Sequence, residues 1–129
     1  DQQTGRIKVH RVVCAVDCGP TVNNDTVRAQ MEGALTMGLS AALKERVKVA
    51  DGGVRSANFL DYPLLRMSEA PEVIDVHIVE SDGEIGGAGE PGLPPVAPAV
   101  ANAVFALTGT RIRQLPLTPE TVKAALQNA

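Results

Sequence analysis

The sequence predicts an α+β fold, a mixed sheet of short strands packed with about three helices. Three observations point there. β-Branched runs at residues 7–16 and 73–80 read as strands, apolar residues at three- and four-residue steps mark a helix over 25–45, and strands and helices alternate too irregularly for a doubly wound sheet. No internal repeat or low-complexity linker divides the 129 residues, so residues 1–129 are expected to form a single domain.

The first strand, IKVHRVVCAV at 7–16, ends in Asp17-Cys18-Gly19-Pro20, which is turn chemistry. Residues Thr21 to Asp25 offer several helix N-caps, and Asp25 in the first turn suits the helix dipole. In the helix, Val27, Met31, Ala34, Leu35, Leu39, Ala42 and Leu43 form the apolar stripe. Gln30, Gly33, Ala34, Met37 and Ala41 share a neighbouring face of small residues. Gly33 and Gly38 each cost about 1 kcal/mol against Ala, so close packing or a close ligand should explain them. Residues 47–56 read as a hairpin around Asp51-Gly52. Residues 58–72, punctuated by Pro63 and Pro71, are irregular. In the strand at 73–80, Ile74, Val76 and Ile78 share one face, with Asp75 and His77 opposite. His77 reads as a surface residue rather than a ligand. After a Gly/Pro-rich loop at 81–95 comes VAPAVANAVFALT, apolar all round and so expected to be a buried helix, with Asn102 as a buried structural amide. Pro98 fits its first turn and Gly109 its stop. Residues 111–117 are expected as a short edge segment, and Thr118-Pro119 opens a last helix.

Composition narrows the function. A net charge of −3 argues against a nucleic-acid or anionic-membrane partner held by charge, and 44% hydrophobic residues argue against disorder. No apolar run reaches the roughly 18 residues of a membrane span. With two Phe, one Tyr and no Trp, the core must come from Val, Ala, Leu and Ile. Cys14 and Cys18 lie too far apart along an extended segment for a disulfide and are expected as buried free thiols. Neither cysteine belongs to a CxxC pair, and no metal site is expected. The opening DQQTGRIKVH has no initiator Met and no signal-peptide pattern, so a piece of a longer polypeptide is expected.

The most informative stretch is Gly86-Gly87-Ala88-Gly89-Glu90-Pro91-Gly92. Small residues before the acid leave backbone amides open to a ligand. A carboxylate ahead of a buried helix can be desolvated into a useful base, while the helix N-terminus favours its charged form. Taken alone, Glu90 reads as a solvated loop residue. The stretch lacks the GKS/GKT of a P-loop and the GxGxxG of a dinucleotide fold, and neither a GxSxG elbow nor HExxH occurs.

GGAGEPGLPPVAPAVANAVFALTGTRIRQLPL resembles the C-terminal end of the molybdopterin-binding large subunit of the xanthine oxidase / aldehyde oxidase family. It is most similar to the bacterial isoquinoline 1-oxidoreductase and aldehyde dehydrogenase branch. VVCAVDCGPTVNNDTVRAQMEGALTMGLSAAL resembles the family's strand, turn and QxEG helix, and NFLDYPLLRM its NF-x-DYPLLRM segment. The three motifs occur in the family's order and cover almost the whole chain.

The resemblance implies a C-terminal part of a molybdenum hydroxylase that oxidises aldehydes or N-heteroaromatic compounds with water as oxygen source. The cofactor would be a molybdenum-pterin, in bacteria usually molybdopterin cytosine dinucleotide, bound mainly by parts of the subunit outside these residues. Glu90 occupies the place of the family's general base, which takes the proton from a molybdenum-bound hydroxyl. Gln30 and Gly33 match the QxEG motif beside the pterin, and Gly86, Gly87 and Gly89 would shape the loop at the metal centre. Glu32 is expected to be structural, and Leu60, Tyr62 and Leu64 would line a substrate entrance. Partners would be the remainder of the subunit and a 2Fe-2S subunit, for which this chain holds no ligand spacing. The family occurs in cytoplasm and periplasm, which leaves the compartment open. Two departures stand out: Asn23-Asn24 replaces Asn-Pro at the helix entrance, and Ala88 stands where Ile or Val is frequent, widening the space beside Glu90. The alternative is a non-catalytic binding or assembly module of the same fold.

Overall fold

The computed structural model describes residues 1–128. Strand β1 (Arg11–Val16) pairs in parallel with β4 (Val73–Ile78), in a register that sets Val12 against Ile74 and Val16 against Ile78. Between them in sequence lie helix α1 (Asn24–Leu43) and a hairpin of β2 (Val49–Ala50) and β3 (Gly53–Val54). Helices α2 (Val96–Thr108) and α3 (Pro119–Gln127) complete the chain. The α+β class with three helices holds. The parallel and antiparallel pairings fall in two separate two-stranded sheets.

Local chemistry accounts for the boundaries. Asn23 caps α1, its side-chain oxygen accepting the Thr26 amide at 3.0 Å. Thr118 caps α3 through the Thr121 amide, with Pro119 at the first helical position. α2 stops at Gly109 in the left-handed conformation, φ 73°. In the hairpin turn, Asp51 and Gly52 both take positive φ, as a type I′ turn requires.

Three expectations are corrected. The first strand begins at Arg11 rather than Ile7. Its partner strand cannot extend in that direction, because Pro71 has no amide to donate and the chain before it turns away in a 3₁₀ turn over Met67–Glu69. Residues 111–117 form no strand. They run irregularly, and the Leu117 amide donates to the Ala42 carbonyl at the end of α1. Finally, α2 is not buried all round. Only Val96, Val100 and Val104 are enclosed, a single stripe, and Asn102 lies exposed and accepts from Arg111 at 2.7 Å.

The core is aliphatic. One cluster joins Leu35, Leu39, Val96, Val100, Leu117 and Val122, and a second joins Val16, Cys18, Met31 and Val76. No aromatic side chain is buried among the described residues. Cys14 and Cys18 are free thiols, the first half-buried and the second buried.

Candidate functional site

The loop between β4 and α2 is laid across the end of the parallel pair and fixed at three points. Asp17, just beyond β1, accepts the Gly19 amide at 3.1 Å and the Ser81 hydroxyl at 2.7 Å. These hydrogen bonds, Ser81 first, hold the Asp17 carboxyl below its usual range. One step on, the Gly86 amide donates to the Cys18 carbonyl at 2.9 Å. Gly19 makes this approach possible. Its φ is +70°, and a Cβ there would stand 2.5 Å from the Glu84 carbonyl oxygen.

The third point is α1. The Gln30 amide nitrogen donates to the Gly89 carbonyl at 3.4 Å. Gly92 rests on the same helix, where a Cβ would meet the Ala34 Cβ at 3.2 Å and the Met31 sulfur at 3.3 Å. Between these two contacts the chain makes a tight turn, with the Leu93 amide donating to the Glu90 carbonyl at 3.0 Å. The backbone of Glu90 is thus held from both sides while its side chain is exposed. Burial of Glu90 at the head of α2 is not met within these residues. The turn at 91–95 separates it from the helix, whose enclosed stripe starts only at Val96.

The two glycines of α1 divide. At Gly38 a Cβ would lie 2.6 Å from Val96 Cγ2 and 3.0 Å from the Leu93 carbonyl oxygen, so close packing of α1 on α2 explains it. At Gly33 a Cβ would meet nothing within 4 Å. Packing within this chain therefore gives Gly33 no reason. Gly87 is equally bare. Gln30, Gly33, Gly86, Gly87, Gly89 and Glu90 are all exposed, on the loop and the part of α1 against which it rests.

The segment containing Leu60, Tyr62 and Leu64 sits elsewhere. The Tyr62 hydroxyl donates to Glu45 at 2.8 Å and the Leu65 amide to the Ser40 hydroxyl at 3.0 Å, at the opposite end of α1 from Gln30. Glu32 is half-buried, and its carbonyl accepts the Thr36 hydroxyl. Sequence reasoning missed the Asp17–Ser81 anchor. Asp-x-Gly was legible as a turn, but nothing local reveals a partner 64 residues away. Among the described residues, no three His, Cys, Asp or Glu side chains gather into a metal site, and no helix is long and apolar enough to cross a membrane.

Residues 1–71 match the family described as the molybdopterin cofactor-binding domain. The chain belongs to this family. It falls among the molybdenum-pterin large subunits of xanthine oxidase and aldehyde oxidoreductase type. The beta chain of isoquinoline 1-oxidoreductase from Brevundimonas diminuta is 49% identical over 113 residues, 88% of this chain and 14% of that protein. A nicotinate dehydrogenase chain from Pseudomonas putida is 42% identical over 127 residues, 98% of this chain and 11% of that protein. Among solved structures, the aldehyde oxidoreductase from Desulfovibrio desulfuricans superimposes with a TM-score of 0.82 at 29% identity, covering 96% of this chain and 14% of that one. The chain thus spans about one-seventh or less of these relatives.

Proposed function

We propose that residues 1–129 work as the C-terminal part of a longer molybdenum-binding subunit, inactive alone, in an enzyme that hydroxylates aldehydes or N-heteroaromatic compounds with water as oxygen source. The observation that carries this reading is the Gln30–Gly89 hydrogen bond, which sets the loop bearing Glu90 against the helix whose exposed surface carries Gln30 and Gly33. A pterin-borne molybdenum group fits this surface. Gly33 and Gly87 leave the backbone bare where a Cβ would stand, and Gln30 commits its amide nitrogen to the loop but not its amide oxygen. Gln30, Gly33, Gly86, Gly87 and Gly89 would face that group, in bacteria commonly molybdopterin cytosine dinucleotide. Most of its contacts would come from outside this chain.

When bound, the group would supply oxygen-atom transfer and the two-electron redox chemistry, with electrons leaving through a 2Fe-2S subunit. This chain's part is to place one carboxylate. The Glu90 backbone is pinned by the Leu93 amide and flanked by Gly89 and Pro91, so the side chain projects from a fixed base. Glu90 accepts the proton that must leave a water-derived hydroxyl as its oxygen bonds to substrate carbon. Enclosure within the full-length polypeptide would exclude the water that now reaches the carboxylate. The substrate class follows the similar proteins, named for isoquinoline, nicotinate and aldehydes.

The test is Glu90→Gln in the full-length polypeptide, assayed for aldehyde and N-heteroaromatic oxidation with molybdenum content measured in parallel. Retained molybdenum with a rate loss of about 10²-fold or more supports Glu90 as the base. Equal turnover of both proteins removes Glu90 from the chemistry. A full-length polypeptide that carries no molybdenum leaves the binding or assembly module as the reading.

A further inference from the structure

The two edges of the parallel pair are finished differently. The Val73 amide donates to the His10 carbonyl and the Val79 amide to the Val16 carbonyl. In a parallel ladder the partner-facing groups alternate along each strand. His10, Val12, Cys14 and Val16 therefore address β4, and Arg11, Val13 and Ala15 turn their amides and carbonyls to the outer edge of β1. On β4 the outward set is Ile74, Val76 and Ile78. There Arg28 Nη1 donates to the Val76 carbonyl at 2.6 Å, and a polar trench lined by Asn24, Arg28 and Glu32 runs alongside. A charged side chain that occupies an edge carbonyl blunts that edge against further pairing.

The β1 edge has the opposite character. It opens into a groove of about 620 Å³ whose lining includes Val13, Ala15, Leu35, Ala99, Ala103 and Leu107. Ala99, Ala103 and Leu107 are on the face of α2 left uncovered by the Val96–Val100–Val104 stripe, and Leu107 is 82% exposed. Small side chains at 99 and 103 keep the far wall back from the strand. The groove thus combines a row of outward backbone groups with an apolar floor. Adding a strand to such an edge satisfies both features at once.

We propose that the outer edge of β1 accepts a third strand, an extended segment with apolar residues on alternate positions, supplied by the part of the longer polypeptide outside residues 1–129. This rests on the reading of the chain as one part of a larger subunit, of which it spans about one-seventh or less in the similar proteins. Arg28 on the Val76 carbonyl blunts the β4 edge, which leaves β1 as the edge open to growth.

Residue-resolved amide exchange on the full-length polypeptide tests this, with molybdenum measured in the same sample. The amides of Val13 and Ala15 are expected to exchange within about tenfold of Val12 and Cys14, at rates independent of protein concentration over a hundredfold range. Exchange at Val13 and Ala15 a hundredfold or more faster than at Val12 and Cys14 overturns the proposal. Protection that disappears on dilution also overturns it, since the occupant is then a second copy. Molybdenum-loaded protein with a fast-exchanging Val13 sinks the strand alone. A protected Val13 in metal-free protein sinks the hydroxylase reading and leaves the strand standing.

Discussion

Gly38 and Val96 touch so closely that a Cβ on the glycine would stand 2.6 Å from Val96 Cγ2 and 2.9 Å from its Cβ. This contact sets the approach of α1 to α2, and through Leu93 it fixes the end of the loop that carries Glu90. Gly38→Ala is expected to destabilise by about 1–3 kcal/mol, because Val96 is buried and branched and has little room to yield. Gly33→Ala meets no clash and gains helix propensity, so it should stabilise by up to about 1 kcal/mol. Urea unfolding of the two variants gives the opposite signs directly. In the full-length polypeptide, Gly33→Ala should nevertheless lower molybdenum content if the cofactor approaches the bare backbone.

Asp17 gives the loop a pH dependence. Its carboxyl is held below the ordinary range by the Ser81 hydroxyl and the Gly19 amide, whereas in the unfolded chain it titrates near its usual value of about 3.9. The ionised form is therefore the one that holds the loop. Its contribution is complete above the ordinary carboxylate value and is lost as pH falls through the lowered one. Amide exchange at Gly86, corrected for intrinsic rates, should stay constant from pH 7 to about 5 and rise below about 4. Asp17→Asn should remove that step, and an unchanged profile would exclude Asp17 as its source.

Burial separates two residues that sequence treats alike as interior. Met31 is fully enclosed beside Val16, Cys18 and Val76, so Met31→Ala should cost about 2–5 kcal/mol. Asn102 is exposed, and its side chain accepts from the far end of the long Arg111 side chain, which also stacks over Phe105 at 3.5 Å. Asn102→Ala should stay within about 0.5 kcal/mol of the parent in denaturant unfolding.

The elements whose causes are local were legible. Asn23, Thr118-Pro119, Gly109 and Asp51-Gly52 each fix a boundary through neighbouring backbone, and the inward face of β4 follows from its alternation. The errors arose where distant residues decide. Pro71 stops the ladder just before the Glu72 and Val73 amides that donate to the His10 carbonyl, and Ala42 captures the Leu117 amide that would otherwise belong to an edge segment. Apolarity alone suggested a buried α2, but one neighbour covers one stripe. At the site, the small residues and Glu90 could be read along the chain. The docking of the loop on α1 could not, because it depends on Gln30 reaching a carbonyl 59 residues away.

The Asp17–Ser81 anchor joins residues 64 apart, across a strand pair that is itself parallel and long-range. Folding must therefore close a large loop before the Glu90 segment has anywhere to rest, and such contacts form late and slowly. During synthesis, β1 and α1 emerge from the ribosome well before β4 can reach them. The Glu90 segment is therefore among the last parts of this chain to be set in place.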